Sequence, residues 1–387
     1  MNNYIVSRYF SFTRNESTGL CDISANWSYI ESVPEFAMLK TTPQSPKWHS
    51  EGAFVMDHVK LCVDYAISYF TKPINSARFN DDTILVVLMA VLFHDIGKGR
   101  ATVLGDDGLY HNPNHATVGE KITRRLLWDL GYYKREYICN LVKYHMHPLD
   151  VIKKKDWFER MHDLSCKCGG LRELALLKMF DLQGSKPTVE GAIEHDYDSI
   201  NKFINAAKYL DIYDSKPAIG PNTNLNKFCA SDNVVTVYVL LGLPGAGKST
   251  YVDRYLSGDG YVHISRDEIR HELGYCGKDE KFIGDKEQEK LVTERFEQKM
   301  IEAAEQGKIL VLDNMNNRRE YRDSYKKILK GYDTRWKYVY CEAPTLDINI
   351  MRRHGQIDGD LFGGMIDHFD MPSYEEYESL RINITRD

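Results

Sequence analysis

The chain has 387 residues, 43% of them hydrophobic and 27% charged, and a net charge of −6. That length is too great for one hydrophobic core and implies two domains of ordinary soluble composition. The acidic balance excludes an overall basic field, so any polyanionic partner must be gripped locally by a few Lys and Arg. The N-terminal MNNYIVSRYF lacks the apolar core of a signal peptide, and the most apolar run, Ile84 to Phe93, is too short to span a bilayer. Eight scattered cysteines form no disulfide framework, which points to a reducing cytoplasm and no membrane association.

After an extension over residues 1–35 with no assigned role, apolar residues recur at helical spacing from about Val55 to Tyr213. The segments MDHVKLCVDYAISYF, DDTILVVLMAVLFHD, HATVGEKITRRLLWDL and LRELALLKMFDL predict an all-helical domain over 1–213. His58, the pair His94-Asp95, His115, His145 and Asp181 fall on successive predicted helices. Imidazole and carboxylate donors in combination suit first-row divalent ions such as Mn²⁺, Fe²⁺, Co²⁺, Ni²⁺ or Zn²⁺. His111 and His147 compete with His115 and His145 but read as surface residues. Cys166 and Cys168, near His162, lack a second pair and read as free thiols rather than a zinc site.

The order H…HD…H…H…D, with His94-Asp-Ile-Gly-Lys98 at its centre, resembles the HD phosphohydrolase superfamily from about Phe36 to Asp196. Upstream, TPQSPKWHSEG followed by His58 resembles HD domains of the tRNA nucleotidyltransferase type, which act on 2′,3′-cyclic phosphates. Ala53 and Ala116 stand where those relatives tend to carry acidic residues. The resemblance implies that His58, His94, Asp95 and Asp181 hold one metal. His115 and His145 complete a second metal site or bind the phosphate, and Lys98 neutralises the scissile phosphate.

DSKPAIGPNTNLNKFCASDN, residues 214–233, breaks the periodicity and reads as a linker. Over 234–387 short apolar strands (VVTVYVLLG, YVHIS, KILVLD, KYVYCEA) alternate with helices, among them EQEKLVTERFEQKMIEAAEQ, predicting an α/β domain with a parallel sheet. Gly242-Leu-Pro-Gly245-Ala246-Gly247-Lys248-Ser249-Thr250 satisfies G-x-x-x-x-G-K-[ST] between a strand and a helix. Such a loop turns backbone N–H groups around a β-phosphate. Lys248 reaches the β/γ oxygens, and the Ser249 hydroxyl is placed to ligate Mg²⁺. The second strand ends in HISRDEIR, which puts Asp267 at a strand C-terminus as a carboxylate able to take a proton from an attacking hydroxyl, and Arg270 lies one turn later. Read alone, these two are an N-cap Asp and a surface Arg. Asp313 ends the next strand as a Walker-B-like carboxylate, and Arg352 and Arg353 are lid candidates, with Arg352 preferred.

G-x-P-G-A-G-K-S-T, then S-R-D-x-x-R, then D-N-x-N, then a late arginine helix resembles the 5′-hydroxyl polynucleotide kinases. The likeness runs from about Val234 to the C-terminus. It implies that Lys248 and Ser249 bind ATP (or another nucleoside triphosphate) and Mg²⁺. By the same likeness Asp267 is the general base, Arg270 contacts an acceptor phosphate, and Arg352 or Arg353 serves the lid. The acid-phosphatase module that often follows this kinase is expected to be absent. An HD phosphohydrolase joined to such a kinase resembles the bifunctional HD-domain polynucleotide kinases of nucleic-acid repair. That implies RNA or DNA ends as partners and, with no K-x-D-G motif here, a separate ligase. The alternatives are a small-metabolite or nucleoside kinase fused to an HD nucleotide phosphohydrolase, and an ATP-gated HD regulatory protein.

Overall fold

The computed structural model describes residues 4–214, 234–276, 285–353, 357, 359–373 and 376–385. Contacts divide the chain into two compact units, Met1–Pro221 and Asn222–Asp387. The expected linker lies, apart from Asp214, outside the described residues.

The first unit is helical. Helix α1 (Val55–Phe70) buries Val55, Met56, His58, Val59, Cys62, Val63, Ala66 and Phe70, a stripe at i, i+3, i+4 and i+7 spacing. Helix α2 (Asp81–Phe93) starts where the Asn80 side chain accepts the Thr83 N–H, 2.8 Å away. It is buried on every side from Ile84 to Phe93, as its unbroken apolar run requires. Helix α3 (His115–Leu126) packs on α4 (Tyr132–Tyr144), and α4 and α5 (Arg172–Gly184) pack with α1 around α2. A two-residue hairpin pairs Val103–Leu104 with Tyr110–His111 just before α3.

The described part of the extension, residues 4–35, belongs to this core. Its antiparallel strands β1 (Phe10–Arg14) and β2 (Cys21–Ala25) form a hairpin, and Tyr9 sets its ring edge against Phe93, centroids 5.4 Å apart. Phe36 meets the same ring at 5.0 Å. Phe93 is the last residue of α2, so this aromatic contact backs the point where the helix delivers His94.

A buried ionic cluster ties α3 to α4. Arg124 donates to Glu120 at 2.7 Å and to Glu136 at 2.8 Å, and Arg135 donates to Glu136 at 2.8 Å. Burial alone would raise the Glu136 carboxyl, but Arg124 and Arg135 bring it from 4.5 down to about 2. The stabilisation it gives is therefore full above about pH 4.5 and lost as pH falls through about 2. Glu136→Gln is expected to cost about 3–5 kcal/mol, because it leaves buried guanidinium charge uncompensated. Thermal melts at pH 7 check this, and a shift below about 1 kcal/mol would show that the arginines repair their pairing.

In the second unit a five-stranded parallel sheet is built from β3 (Val235–Leu241), β4 (Tyr261–Ile264), β5 (Ile309–Asp313), β6 (Thr334–Glu342) and β7 (Ser379–Ile384), in the order β4–β5–β3–β6–β7. The central strand β3 is buried through Val239, Leu240 and Leu241 and opens directly into the glycine-rich loop. The chain then runs to one side of β3 and returns on the other, so strand carboxyl ends meet where this topology places ligands. Helices α6 (Lys248–Tyr255), α7 (Arg266–Glu272), α8 (Lys286–Glu305), α9 (Arg319–Ile328) and α10 (Leu346–Arg352) connect or follow the strands. The long helix α8 begins on an Asp285 capping box. Strand β7 departs from the four strands expected. SLRINI is an edge strand with alternating exposure, and its polar positions break the apolar run that marks the others.

Candidate functional site

In the first unit the ends of four helices converge. His94 follows α2, His115 begins α3 and His145 follows α4. In each the Nδ1–H donates to the carbonyl three residues earlier: Val91 at 2.7 Å, Asn112 at 2.9 Å and Val142 at 2.7 Å. A carbonyl can only accept, so Nδ1 carries the hydrogen and Nε2 points inward as a lone pair. His58, on α1, is held the same way, with Nδ1 3.0 Å from Glu51 Oε1. The inward nitrogens then face each other, His58 to His94 at 3.4 Å and His115 to His145 at 3.3 Å. Burial, together with the neighbouring histidines, holds His145 well below the ordinary imidazole range, and burial also lowers His115. Two neutral imidazoles aiming lone pairs at one another, as His115 and His145 do, repel unless a cation lies between them; His58 differs, because Cys62, Asp181 and Glu51 outweigh burial and hold it well above the ordinary imidazole range.

The carboxylates fit that reading. Asp95 is buried, and its Oδ2 accepts no well-directed hydrogen bond, although Lys98 Nζ is 2.7 Å away. That oxygen lies 3.3 Å from His94 Nε2 and 3.7 Å from His58 Nε2, while Oδ1 lies 3.6 Å from His115 and 4.0 Å from His145. Burial opposes charge on Asp95 and Asp181, yet Lys98 and Lys178 respectively, with the histidines, keep both well below the usual carboxylate range. Asp181 Oδ1 is 3.1 Å from His58 Nε2, and its Oδ2 takes a 2.6 Å ion pair from Lys178.

All six expected donors meet here. His58, His94 and Asp181 come together with Cys62, while Asp95 groups with His115 and His145. Asp95 faces both sets because each of its oxygens turns to a different one. Gly97 makes the close approach of α3 possible, since a Cβ there would come within 2.0 Å of the His115 carbonyl. His111 is exposed and pairs with Asp107, and His147 is exposed. Cys166 and Cys168 belong to no ligand group among the described residues.

Sequence reasoning missed Glu51, His49, Lys178 and Cys62. Glu51 binds His49 Nδ1 at 2.8 Å as well as His58, and its other oxygen accepts the Lys186 N–H at 2.9 Å, just past the end of α5. The signal was present in WHSEG, where a buried-type loop holds His and Glu. Glu51→Gln is expected to weaken metal affinity about 10–100-fold by loosening His58. Metal retention against a chelator checks this, and unchanged retention would leave Glu51 as packing alone.

In the second unit a cleft of about 1550 Å³ opens along the strand ends, lined by the glycine-rich loop, Asp267, Arg270, Asp313, Arg352 and Arg353. Lys248 donates to the Gly242 and Leu243 carbonyls at 3.0 and 3.1 Å, and burial lowers its ammonium against the pull of Asp313. Ser249 Oγ donates to Asp313 Oδ2 at 2.8 Å, the hydroxyl–carboxylate pairing that suits a Mg²⁺. His263, on β4, meets the same oxygen at 3.2 Å, and burial opposes but does not prevent a raised value. The D-N-x-N segment is a brace. Asn314 Oδ1 accepts the Arg266 N–H at 3.1 Å, and the Asn316 amide spans the Leu240 and Leu312 carbonyls at 2.7 and 3.1 Å.

Asp267 does not end β4. It sits in the first turn of α7, where Ser265 is the N-cap, because the strand stops at Ile264. Its exposed carboxylate pairs with Arg270 Nη1 at 2.6 Å, and Arg270 Nη2 donates to Glu289 at 2.6 Å. Arg352 donates to the Gly245 carbonyl at 3.2 Å and to Thr385 at 2.9 Å, anchoring it to the loop. Arg353 Nε is buried with no hydrogen-bond partner, and its charge acts on Lys248.

A helical unit centred on a His/Asp cluster and a parallel sheet carrying a phosphate loop define a hydrolase-type and a kinase-type domain. The HD domain family model matches residues 59–175, and the AAA domain family model matches residues 237–353. The chain therefore joins an HD domain to a P-loop kinase-like domain; His58 and Asp181 lie just outside the first match. No curated protein matches the chain. No helix among the described residues is long and apolar enough to cross a membrane.

Proposed function

We propose that the chain is a two-activity end-healing enzyme acting on RNA or DNA ends. The HD domain removes 2′,3′-cyclic, 2′- or 3′-phosphates, and the kinase domain transfers the γ-phosphate of ATP to a 5′-hydroxyl, leaving ends for a separate ligase. The observation that carries the hydrolase half is the convergence of four inward Nε2 atoms, those of His58, His94, His115 and His145, on the carboxylates of Asp95 and Asp181. A divalent transition ion there supplies hydroxide near neutral pH and charge for the anionic ester. Asp95 bridges the donor groups, His115 and His145 serve the more open one, and Lys98 and Lys178 add the cationic rim.

In the kinase half Lys248, Ser249 and Asp313 hold the triphosphate and Mg²⁺. Asp267 takes the hydroxyl proton, Arg270 holds an acceptor phosphate, and Arg353, with its orphan Nε, replaces Arg352 as the preferred lid arginine. One observation favours a small acceptor instead. Glu289 occupies both Arg266 and Arg270, at 2.7 and 2.6 Å, so an acceptor phosphate must displace it.

Competition between a 5′-hydroxyl oligonucleotide and nucleosides for labelled ATP decides between these acceptors. Preferential labelling of the oligonucleotide is expected, and labelling of nucleosides alone would overturn the polynucleotide reading. Chelation followed by metal addition tests the HD half. Hydrolysis should return with a transition ion better than with Mg²⁺, and full recovery with Mg²⁺ alone would contradict the histidine ligands.

A further inference from the structure

The cleft in the second unit, about 1550 Å³, exceeds the roughly 300–1,000 Å³ that holds one small ligand, so it has room for a second molecule beside a triphosphate. Two helices build one of its walls, each with a single face. Glu289, Thr293 and Phe296 line it from α8, at i, i+4 and i+7. Tyr321, Ser324, Tyr325 and Ile328 line it from α9, at i, i+3, i+4 and i+7. The wall is fixed to the sheet: the Tyr325 hydroxyl donates to Asn316 Oδ1 at 2.7 Å, and its ring meets Phe296 with centroids 5.6 Å apart. It also adjoins the acceptor-side arginines. Arg266 donates to Glu289 and Thr293 at 2.7 and 2.8 Å, and Arg270 donates to Glu289 at 2.6 Å.

Glu289 and Tyr321 lie in the first turns of their helices. Helices of a parallel sheet run back against its strands, so both residues stand at the strand carboxyl ends, where ligands bind. Tyr321 is nevertheless 47% exposed, and the Arg318 guanidinium stands 5.9 Å from its ring centroid. An exposed ring on a rigid wall beside a cation is the combination that holds single-stranded nucleic acid, the ring for a base and the cation for the backbone. Building on the kinase reading of this cleft, we infer that Tyr321 is the platform on which the acceptor's terminal nucleobase stacks. Arg270 and Tyr321 then hold one nucleotide at two points, its phosphate and its base. Packed helices stand about 8–10 Å apart, a span one nucleotide bridges. Stacking accepts every base, so the wall reads the presence of a base and not its identity.

The test uses the full chain, γ-labelled ATP and 5′-hydroxyl oligonucleotides whose terminal residue carries a base or is abasic. For wild type the abasic end is expected to have a KM about tenfold or more above that of the base-bearing end. Tyr321→Ala should raise the KM of the base-bearing end by a similar factor, leave the KM for ATP unchanged and erase the preference. Tyr321→Phe keeps the ring and should keep the preference. Wild type that treats the two ends alike overturns the inference and spares the kinase reading. So does a Tyr321→Ala loss of equal size on both ends, the mark of a structural role. If nucleosides alone are labelled, the polynucleotide reading falls and the same variants are compared on a nucleoside and on ribose. There a loss confined to the nucleoside supports the platform, and an equal loss overturns it. No labelling of any acceptor by wild type overturns both readings.

Discussion

Asp95→Ala is expected to abolish release of phosphate from 2′,3′-cyclic ends while leaving 5′ phosphorylation intact. The two oxygens of Asp95 face different donor groups, at 3.3 Å from His94 on one side and 3.6 Å from His115 on the other. Removing it unlinks both groups and leaves Lys98, paired to it at 2.7 Å, as an uncompensated buried cation. Loss of a single transition-state donor in an enzyme commonly costs about 10²–10³-fold, and this change removes more than one role, so a drop beyond about 10³-fold is predicted. Phosphate-release and kinase assays on one preparation check it. Equal loss of both activities would indicate misfolding rather than site damage.

The second large effect concerns Asp267→Asn. In its proposed role as general base, Asp267 is expected to contribute about 10²–10⁴-fold to phosphoryl transfer. Its carboxylate is exposed along the cleft and paired with Arg270, whereas the proposed triphosphate contacts belong to Lys248, Ser249 and Asp313. ATP affinity should therefore stay near wild type while turnover collapses. A variant that keeps its turnover would remove Asp267 as the base and shift attention to His263, whose ring contacts both Asp313 and Glu268.

Much of both sites was legible because short-range rules placed them. The glycine-rich loop needs only a strand before it and a helix after it, and both are local. His94 and Asp95 end an apolar helix, and His58, His115, His145 and Asp181 sit near helix ends or on buried stripes, so the donor order survived folding unchanged. What stayed hidden depends on distance. Glu51 reaches its role through a loop tied to Lys186, 135 residues away. Cys62 reads as an ordinary apolar position until the fold brings Asp181 beside it. Glu289, on α8, turns out to hold Arg266 and Arg270, which no spacing rule reveals. Strand β7 escaped because an edge strand need not be apolar throughout. Of the paired arginines, helix periodicity could not say which one the loop carbonyl at Gly245 would capture.

The central claim is that one chain treats both kinds of broken end. An RNA oligonucleotide carrying a 5′-hydroxyl and a 2′,3′-cyclic phosphate, incubated with the protein, γ-labelled ATP, Mg²⁺ and a transition metal, tests it in one tube. Label is expected at the 5′ end and a free 2′,3′-diol at the other, with Asp267→Asn and Asp95→Ala each removing one product. An oligonucleotide unchanged at both ends, with nucleosides turned over instead, would contradict it.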